Sequence, residues 1–204
     1  MALRGSHALA LWNDMLEPAR PLFHAWHGHE HLPQRLAAGD ILGARRFSAV
    51  SQGSGYFTLY DVENACALAP GKSNSLPSSL EQDVEPAFLP GPRLPCEVLG
   101  SFGAAQGGLL AAWNGLIDSA SWAVDRQRLL AETLPEIARQ HGTASCHLLQ
   151  SLSTEKQIIL LVESWDDLEA FQSACKVLSR EAPWGCAQLV ALPSLYRLQA
   201  AFTV

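Results

Sequence analysis

Histidines are concentrated in one short stretch of this 204-residue chain. Four of its seven histidines, His24, His27, His29 and His31, fall within eight residues. At 100° per residue of a helix, His24, His27 and His31 share one face, with Arg35 beside them. A neutral imidazole near pH 7 can give or take a proton, and it can also bind a metal ion. The spacing therefore predicts a titratable helix face.

Three interpretations of this histidine face stand open. In the first, the face is solvated and its histidines only titrate. In the second, His31 is a general acid/base at the mouth of a pocket, and Glu30 fixes the tautomer of its ring. In the third, His27 and His31 hold a metal ion, with His24 or Glu30 as a further ligand. The H-E-x-x-H order of metalloproteases is absent, so we assign no metal.

Two adjacent arginines offer a possible anion site. Arg45 and Arg46 occupy neighbouring positions of a strand, so their side chains point to opposite faces. We expect one to be exposed to solvent and the other to face a cavity between sheets. There a guanidinium could hold a substrate carboxylate or phenolate. The alternative is a salt bridge to Asp61 or Glu63 on the paired strand.

Aromatic side chains could complete such a cavity. Trp12, Trp113, Tyr60 and Phe47 are the candidates for its lining, and core packing would explain them equally well. We expect Trp12 and Tyr60 to contact a substrate. Residues 100–103 (GSFG) do not form the G-x-S-x-G signature of a nucleophile elbow.

Composition limits the classes of partner. The net charge is −6 and the pair Arg45-Arg46 is the largest basic cluster, which argues against nucleic-acid binding. The longest apolar runs, such as residues 158–162, are far short of the roughly 20 residues that cross a membrane. We read no signal peptide, and the five scattered cysteines fit reduced thiols, so we expect a cytoplasmic protein.

The chain contains the same pattern twice, about 101 residues apart. The matching stretches are ALWN at 10–13 with AAWN at 111–114, Leu-Pro at 32–33 with 134–135, and LYDVE at 59–63 with ILLVE at 159–163. A repeat of this length suits a small domain. We therefore expect two similar modules, residues 1–103 and 104–204.

Each half is expected to run strand, helix, hairpin, helix, strand. In the first half we place strands at 7–13, 41–51, 56–63 and 96–102, and helices at 21–38 and 78–85. In the second half we place strands at 108–114, 144–152, 157–163 and 189–202, and helices at 124–140 and 166–180. We expect Pro33 to kink or split the first helix after His31, the second-half helix to be cleaner, and residues 64–95 to be mostly loop. The order is that of a ferredoxin-like plait, and two such sheets stacked face to face would cover their apolar faces.

The histidine stretch carries a family resemblance. Residues 23–36 (FHAWHGHEHLPQRL), with GARRF at 43–47 and LYRL at 195–198, resemble the dimeric α+β barrel superfamily, and within it EthD-like two-repeat bacterial proteins. The resemblance implies an α+β fold of tandem ferredoxin-like (βαββαβ) modules that form a dimeric α+β barrel within one chain. The second copy has Thr133 where His31 would align, so one half alone keeps the His-Glu pair.

The same resemblance implies a function. It suggests an enzyme without a cofactor that performs acid/base chemistry on a small apolar or aromatic metabolite. His31 would move the proton, Glu30 would orient it, and Arg45 or Arg46 would bind a substrate anion. The alternatives are a non-catalytic ligand-binding or accessory protein of a degradation pathway, or a metal- or haem-dependent enzyme. Whether the chain is an enzyme stays open, and two such chains could form a homodimer.

Overall fold

A closed barrel of eight antiparallel strands forms the centre of the molecule. The computed structural model describes residues 2–39, 41–50, 54–68, 78–117, 120, 122–154, 157–165, 168–180 and 193–203. The strands are β1 (His7–Met15), β2 (Ile41–Ala49), β3 (Tyr56–Val62), β4 (Phe88–Gly103), β5 (Leu109–Leu116), β6 (Thr143–Ser151), β7 (Gln157–Ser164) and β8 (Ser194–Thr203). Their order around the barrel is β1-β3-β2-β8-β5-β7-β6-β4.

Helices cover the outside of the barrel. They are α1 (Arg20–Trp26), α2 (Leu32–Ala37), α3 (Ser79–Val84), α4 (Trp122–Arg128), α5 (Leu134–Ala138) and α6 (Leu168–Arg180). A π-helical turn, His27–His31, joins α1 to α2, and a second one, Leu129–Thr133, joins α4 to α5. Short 3-10 turns occupy Glu17–Ala19, Ala65–Leu68 and Glu85–Ala87.

The strand order repeats in the two halves of the chain. The first half supplies β4-β1-β3-β2 and the second supplies β8-β5-β7-β6, each in the order of a ferredoxin-like sheet. The predicted α+β fold, a duplicated ferredoxin-like plait forming a barrel within one chain, is confirmed. The two sheets were expected to stack as separate layers, but β2 pairs with β8 and β4 with β6, so both edges are joined. The module boundary between residues 103 and 104 stays a prediction.

The two hairpins repeat with an offset of 102 residues. Arg45 pairs with Leu59 on the neighbouring strand, and His147 pairs with Leu161 in the same way. The similar ALWN and AAWN stretches are 101 residues apart, one residue out of step with this register. A one-residue difference reverses the direction of every side chain. As a result Trp12 packs inside the barrel, whereas Trp113 packs outside against the helices.

The π-helical turns follow from the repeated Leu-Pro pair. Proline has no N–H, and its ring clashes with the carbonyl four residues earlier, so an α-helical bond cannot form at Pro33 or Pro135. Just before each proline, a leucine N–H donates to the carbonyl five residues earlier. Leu32 donates to His27, and Leu134 donates to Leu129. Pro33 was expected to kink or split the helix after His31; the irregularity is instead a π-helical turn at His27–His31, and the backbone remains helical into α2. The expectation of a cleaner helix in the second half is wrong, because Pro135 imposes the same turn there.

Strand β4 is longer than the sequence indicated. The proline-rich residues before Cys96 were expected to form a loop, yet the strand begins at Phe88 and pairs with β1. Its other neighbour, β6, pairs only from Cys96 onward, so the earlier part of β4 is an edge. Prolines are tolerated at an edge because their missing N–H is not needed by a second neighbour.

Both faces of the sheet are covered, as expected from its apolar residues. Inward-facing side chains from both halves, including Trp12, Phe47, Phe57 and Tyr196, form one core inside the barrel. The outer face of the second half packs on α4, α5 and α6, and the outer face of the first half packs on α1 and α2. A polar side chain on either face is therefore removed from bulk water.

Candidate functional site

A group of polar side chains lies between helix α1, the π-helical turn and the outer face of β2 and β3. We call it the outer cluster: His24, His27, His31, Arg46 and Tyr56. His24 Nε2 lies 2.8 Å from the Tyr56 hydroxyl. The rings of His27 and His31 have centroids 5.2 Å apart. The histidines that the sequence singled out are thus brought together with one of its two arginines.

Arg46 is a buried cation with unsatisfied hydrogen-bonding groups. Its exposed fraction is 3%, and among the described residues its Nε and Nη1 atoms have no hydrogen-bond partner. The guanidinium carbon lies 5.4 Å from the centre of the Phe23 ring, within range of a cation–π contact. Such a contact does not replace the missing hydrogen bonds, since an unsatisfied buried donor costs about 1–3 kcal/mol. Arg46 thus keeps a buried positive charge and two donors without acceptors among the described residues.

The histidine face is not solvated throughout. His27 has an exposed fraction of 5%, and its Nδ1 has no partner among the described residues. His31 is half-buried, with its ring 4.6 Å from that of Trp26, and His29 is exposed. His27 begins the π-helical turn, which holds more residues than an α-helical turn. In the same helical stretch, Phe23, Leu32 and Leu36 are buried, Trp26 is half-buried and Ala37 is exposed.

Burial keeps these imidazoles neutral at pH 7. The pKa of His27 is lowered well below its usual value, first by burial and then by His31, Arg46 and His24. Burial lowers the pKa of His31 to about 4, with a smaller contribution from Arg35. The pKa of His24 is also lowered, by burial and then by Arg46. A neutral imidazole can accept a proton, so the cluster combines proton acceptors with a fixed positive charge.

Glu30 is not seen orienting His31. Its carboxylate accepts a hydrogen bond from the hydroxyl of Ser78, which caps the start of α3 by also accepting from the Glu81 N–H. Within the described residues, no hydrogen bond joins Glu30 to His31. The predicted pair is therefore adjacent in sequence but engaged with different neighbours.

The predicted aromatic lining is divided between two places. Tyr60 is on the outer face of β3, where burial raises the pKa of its phenol and nearby Arg35 and Arg46 oppose this. Trp12 and Phe47 face the barrel interior, and Trp12 packs 4.9 Å from Phe57. The four aromatics do not line a single cavity, because neighbouring strand positions point to opposite faces.

Arg45 and Arg46 point to opposite faces, as predicted, but neither is exposed. Arg45 faces the barrel interior, where its guanidinium forms a salt bridge with the fully buried Glu163. A partner on the adjacent strand, Asp61 or Glu63, was expected instead. Asp61 accepts the backbone N–H groups of residues 4 and 5, each at 2.9 Å. The expectation of one exposed arginine is wrong because helices cover the outer face.

Inside the barrel lies a second polar group, the inner cluster: Arg45, Ser101, Ser145, His147 and Glu163. His147 Nε2 is 3.2 Å from the Glu163 carboxylate and 3.2 Å from the Ser145 hydroxyl. Its Nδ1 is 2.7 Å from the Ser101 hydroxyl. Glu163 and His147 are both 0% exposed. The Gly107 N–H also donates to Glu163, at 2.9 Å.

Sequence reasoning missed His147, and it treated Glu163 only as part of the repeat. The available signal was a charge at an inward position of an otherwise apolar strand: His147 in β6 and Glu163 in β7. The register makes His147 the counterpart of Arg45 and Glu163 the counterpart of Asp61. Ser101 was examined only as an elbow serine, whereas its contact with His147 comes from pairing between β4 and β6.

The outer cluster has no counterpart of the same chemistry in the second half. With the offset of 102 residues, Leu129 stands where His27 does and Thr133 where His31 does. Arg46 corresponds to Leu148, which belongs to the apolar core against the second set of helices. One half therefore has the polar arrangement, and the other has an apolar version of the same layer.

Two further kinds of feature are absent from the described part of the chain. No three His, Cys, Asp or Glu side chains in this part of the chain are placed to hold a metal ion. No helix among the described residues is long and apolar enough to span a membrane.

Comparisons with known proteins show the fold. No family model matches the sequence, and no curated protein matches it. A candidate monooxygenase of Fusobacterium nucleatum superposes with a TM-score of 0.68 at 9% identity, over 98% of this chain and 95% of that one. A candidate monooxygenase of Lactobacillus acidophilus gives 0.65 at 13%, over 97% and 95%. A dye-decolorizing peroxidase of Bacteroides thetaiotaomicron gives 0.63 at 7%, over 96% and 93%. All three similarities extend over nearly the whole barrel.

Proposed function

We propose that the chain is an enzyme that moves a proton on a small aromatic metabolite carrying an anionic group, and that the outer cluster is its site. The observation that carries this proposal is the buried Arg46 guanidinium, whose Nε and Nη1 have no partner among the described residues. A bound carboxylate or phenolate would supply the missing acceptors and the missing negative charge. The EthD-like resemblance of the histidine stretch supports the same assignment.

Roles follow from the placement of each side chain. Arg46 binds the anionic group. Tyr60 lies near enough for the charge of Arg46 to act on the pKa of its phenol. His31 and His27 are neutral bases beside it, so either can take a proton from the substrate and return it. Trp26, whose ring packs against that of His31 at a tilt of 40°, offers an aromatic surface for the substrate ring. No cofactor takes part in this proposal.

A ligand screen with a matched pair of variants tests the binding step. Benzoate at about 100 times its Kd would stabilise the protein by about 2.7 kcal/mol, which raises Tm by roughly 5–10 °C for a chain of this size. The Arg46→Met variant, which keeps the bulk and removes the charge, should show no shift. Equal shifts in the wild type and in Arg46→Met would refute the assignment.

Turnover is tested separately with phenylpyruvate, which has a carboxylate, an aromatic ring and an enolisable C–H. In D2O the enzyme should accelerate deuterium exchange at this carbon, measured by NMR, by about 100-fold or more over buffer. The double variant His27→Gln/His31→Gln, which keeps neither base, should lose the acceleration. Binding without exchange would favour the non-catalytic accessory protein.

A haem-dependent reaction is the second candidate, favoured by the buried Nδ1 of His27, which has no partner among the described residues. A neutral imidazole is a common axial ligand of haem iron, and a guanidinium such as that of Arg46 could neutralise a propionate. Haem would then supply the redox chemistry. One similar structure is a dye-decolorizing peroxidase. An absorbance spectrum after adding haem decides, because a ligated haem gives a sharp Soret band that His27→Ala should remove.

A further inference from the structure

The inner cluster connects a serine, a histidine and a carboxylate in one line. Ser101 Oγ lies 2.7 Å from His147 Nδ1, and His147 Nε2 lies 3.2 Å from the Glu163 carboxylate. Nothing in the proposed proton transfer at the outer cluster uses these residues. The order serine, histidine, carboxylate is the one that activates a serine hydroxyl in enzymes of several unrelated folds, although here the serine meets Nδ1 and the carboxylate meets Nε2, the reverse of those enzymes.

The hydrogen-bond partners fix the direction of every proton in this line. The Leu3 N–H donates to Ser101 Oγ at 2.8 Å, so the hydroxyl hydrogen is free to point at His147 Nδ1. Glu163 can only accept when ionised, so His147 must carry its hydrogen on Nε2. His147 Nδ1 is then the basic nitrogen, and it faces the serine.

The charges support the same tautomer. Burial acts to raise the pKa of Glu163, but the Arg45 guanidinium and His147 outweigh it, so the carboxyl stays ionised. Burial lowers the pKa of His147, although Glu163 opposes this, so its ring is neutral at pH 7. Arg45 and the Gly107 N–H hold the carboxylate in place as positioning groups.

A short segment covers the serine. Residues 2–6 run along the end of the barrel, where Leu3 packs into the inner core and Asp61 accepts the N–H groups of residues 4 and 5. Gly5 lies so close to β3 that a Cβ would come within 1.9 Å of the Val62 carbonyl oxygen. A small depression borders this segment; Ala2 and Arg45 are among its lining residues, whereas Ser101 and His147 are not. Ser101 itself is only partly buried.

From this geometry we infer that Ser101 is a nucleophile that takes an acyl group from a small carboxylic ester, with His147 as its general base. The Ser101 oxygen bonds to the ester carbonyl carbon while its proton passes to His147 Nδ1. The bond to the alcohol oxygen then breaks, and His147 returns the proton to the departing alcohol. Water, deprotonated by His147, releases the acid and restores Ser101. Residues 2–6 limit access to this centre.

Ser145 provides a matched control. Its hydroxyl also lies beside His147, but at Nε2, the nitrogen that carries the hydrogen, so Ser145 is not activated. The probe is diisopropyl fluorophosphate, which forms a phosphorus–oxygen bond to an activated serine and releases fluoride. We expect intact-mass spectrometry to show one adduct, peptide mapping to place it on Ser101, and hydrolysis of p-nitrophenyl acetate to accompany it. Ser101→Ala should abolish labelling, and peptide mapping of the wild type should find no adduct on Ser145.

A second variant tests the covering segment. Leu3→Ala removes the side chain that packs residues 2–6 onto the barrel, so it should label faster than the wild type. Labelling of Ser101 in either protein supports the assignment. If neither protein is labelled at Ser101, or if adducts form equally in Ser101→Ala, the assignment is overturned. Should Ser101→Ala fail to fold, the mapped position of the wild-type adduct decides.

Discussion

Two neighbouring arginines, both buried, should respond in opposite ways to the same substitution. Arg45→Met leaves Glu163 without its guanidinium partner, and we expect the free energy of unfolding to fall by about 3–5 kcal/mol. Arg46→Met removes a buried charge with unsatisfied donors, and we expect an increase of about 1–3 kcal/mol. Denaturant unfolding measures both. A loss of more than about 1 kcal/mol in Arg46→Met would contradict the description of Arg46.

Acid should destabilise the protein through its buried histidines. The pKa of His31 is about 4 in the folded chain and near 6.5 when unfolded, so the unfolded state binds the extra proton between these values. Stability therefore falls as pH drops from about 6.5 to about 4, by roughly 3 kcal/mol for His31. The lowered pKa of His27 acts in the same direction.

The control for this pH dependence is His31→Gln, which cannot titrate. Unfolding free energies measured from pH 7 to pH 4 should decline less steeply in the variant than in the wild type. Identical slopes in the two proteins would show that His31 does not have a lowered pKa.

The sequence indicated which residues could form a site, but it did not indicate which side chains would be their partners. The crowding of His24, His27 and His31 indicated a site, and they do gather with Arg46. The partner of Arg45 could not be predicted, because it lies on the opposite half of the barrel, 118 positions away. Local spacing carries no information about such a pair.

At the scale of elements, two glycines differ in what surrounds them. A Cβ on Gly28, in the first π-helical turn, would meet nothing within 4 Å, whereas one on Gly107 would lie 2.3 Å from the Ser164 carbonyl oxygen. Gly28→Ala should raise stability by up to about 1 kcal/mol, because alanine favours helix. Gly107→Ala should destabilise the protein and displace the N–H that binds Glu163. Thermal unfolding compares them, and equal effects would contradict the packing at Gly107.

The repeated Leu-Pro pair predicted one element well and misled on another. It located the irregularity next to His31, because a proline inside a helix removes a backbone hydrogen bond. The same rule applies at Pro135. There the regular spacing of apolar residues had led us to expect a cleaner helix. The prolines of β4 misled in the opposite direction, since whether a strand is an edge depends on its neighbours in the sheet.

At the scale of the whole molecule, the barrel should unfold as one unit. The two halves share hydrogen bonds along both seams, β2 with β8 and β4 with β6, and they share one inner core. Calorimetry should give a single transition whose calorimetric and van't Hoff enthalpies agree. Two separated transitions would indicate modules that are stable independently.

The fold class was predictable because duplication and strand pattern are properties of the whole chain. The exact register was not, since the AAWN match at 101 residues differs by one from the pairing offset of 102. That single residue decides which tryptophan enters the barrel. Only the structure therefore shows which side chains face the inside of the barrel and which face the helices.

The central claim is that the outer cluster of the first half binds an anion. Side-chain 1H–15N NMR spectra of the histidines, recorded while benzoate is added, test it most directly. The signals of His24 and His27, next to Arg46, should shift and saturate together, while His147 inside the barrel stays unchanged. Shifts confined to His147, or no shift at any histidine, would contradict the account.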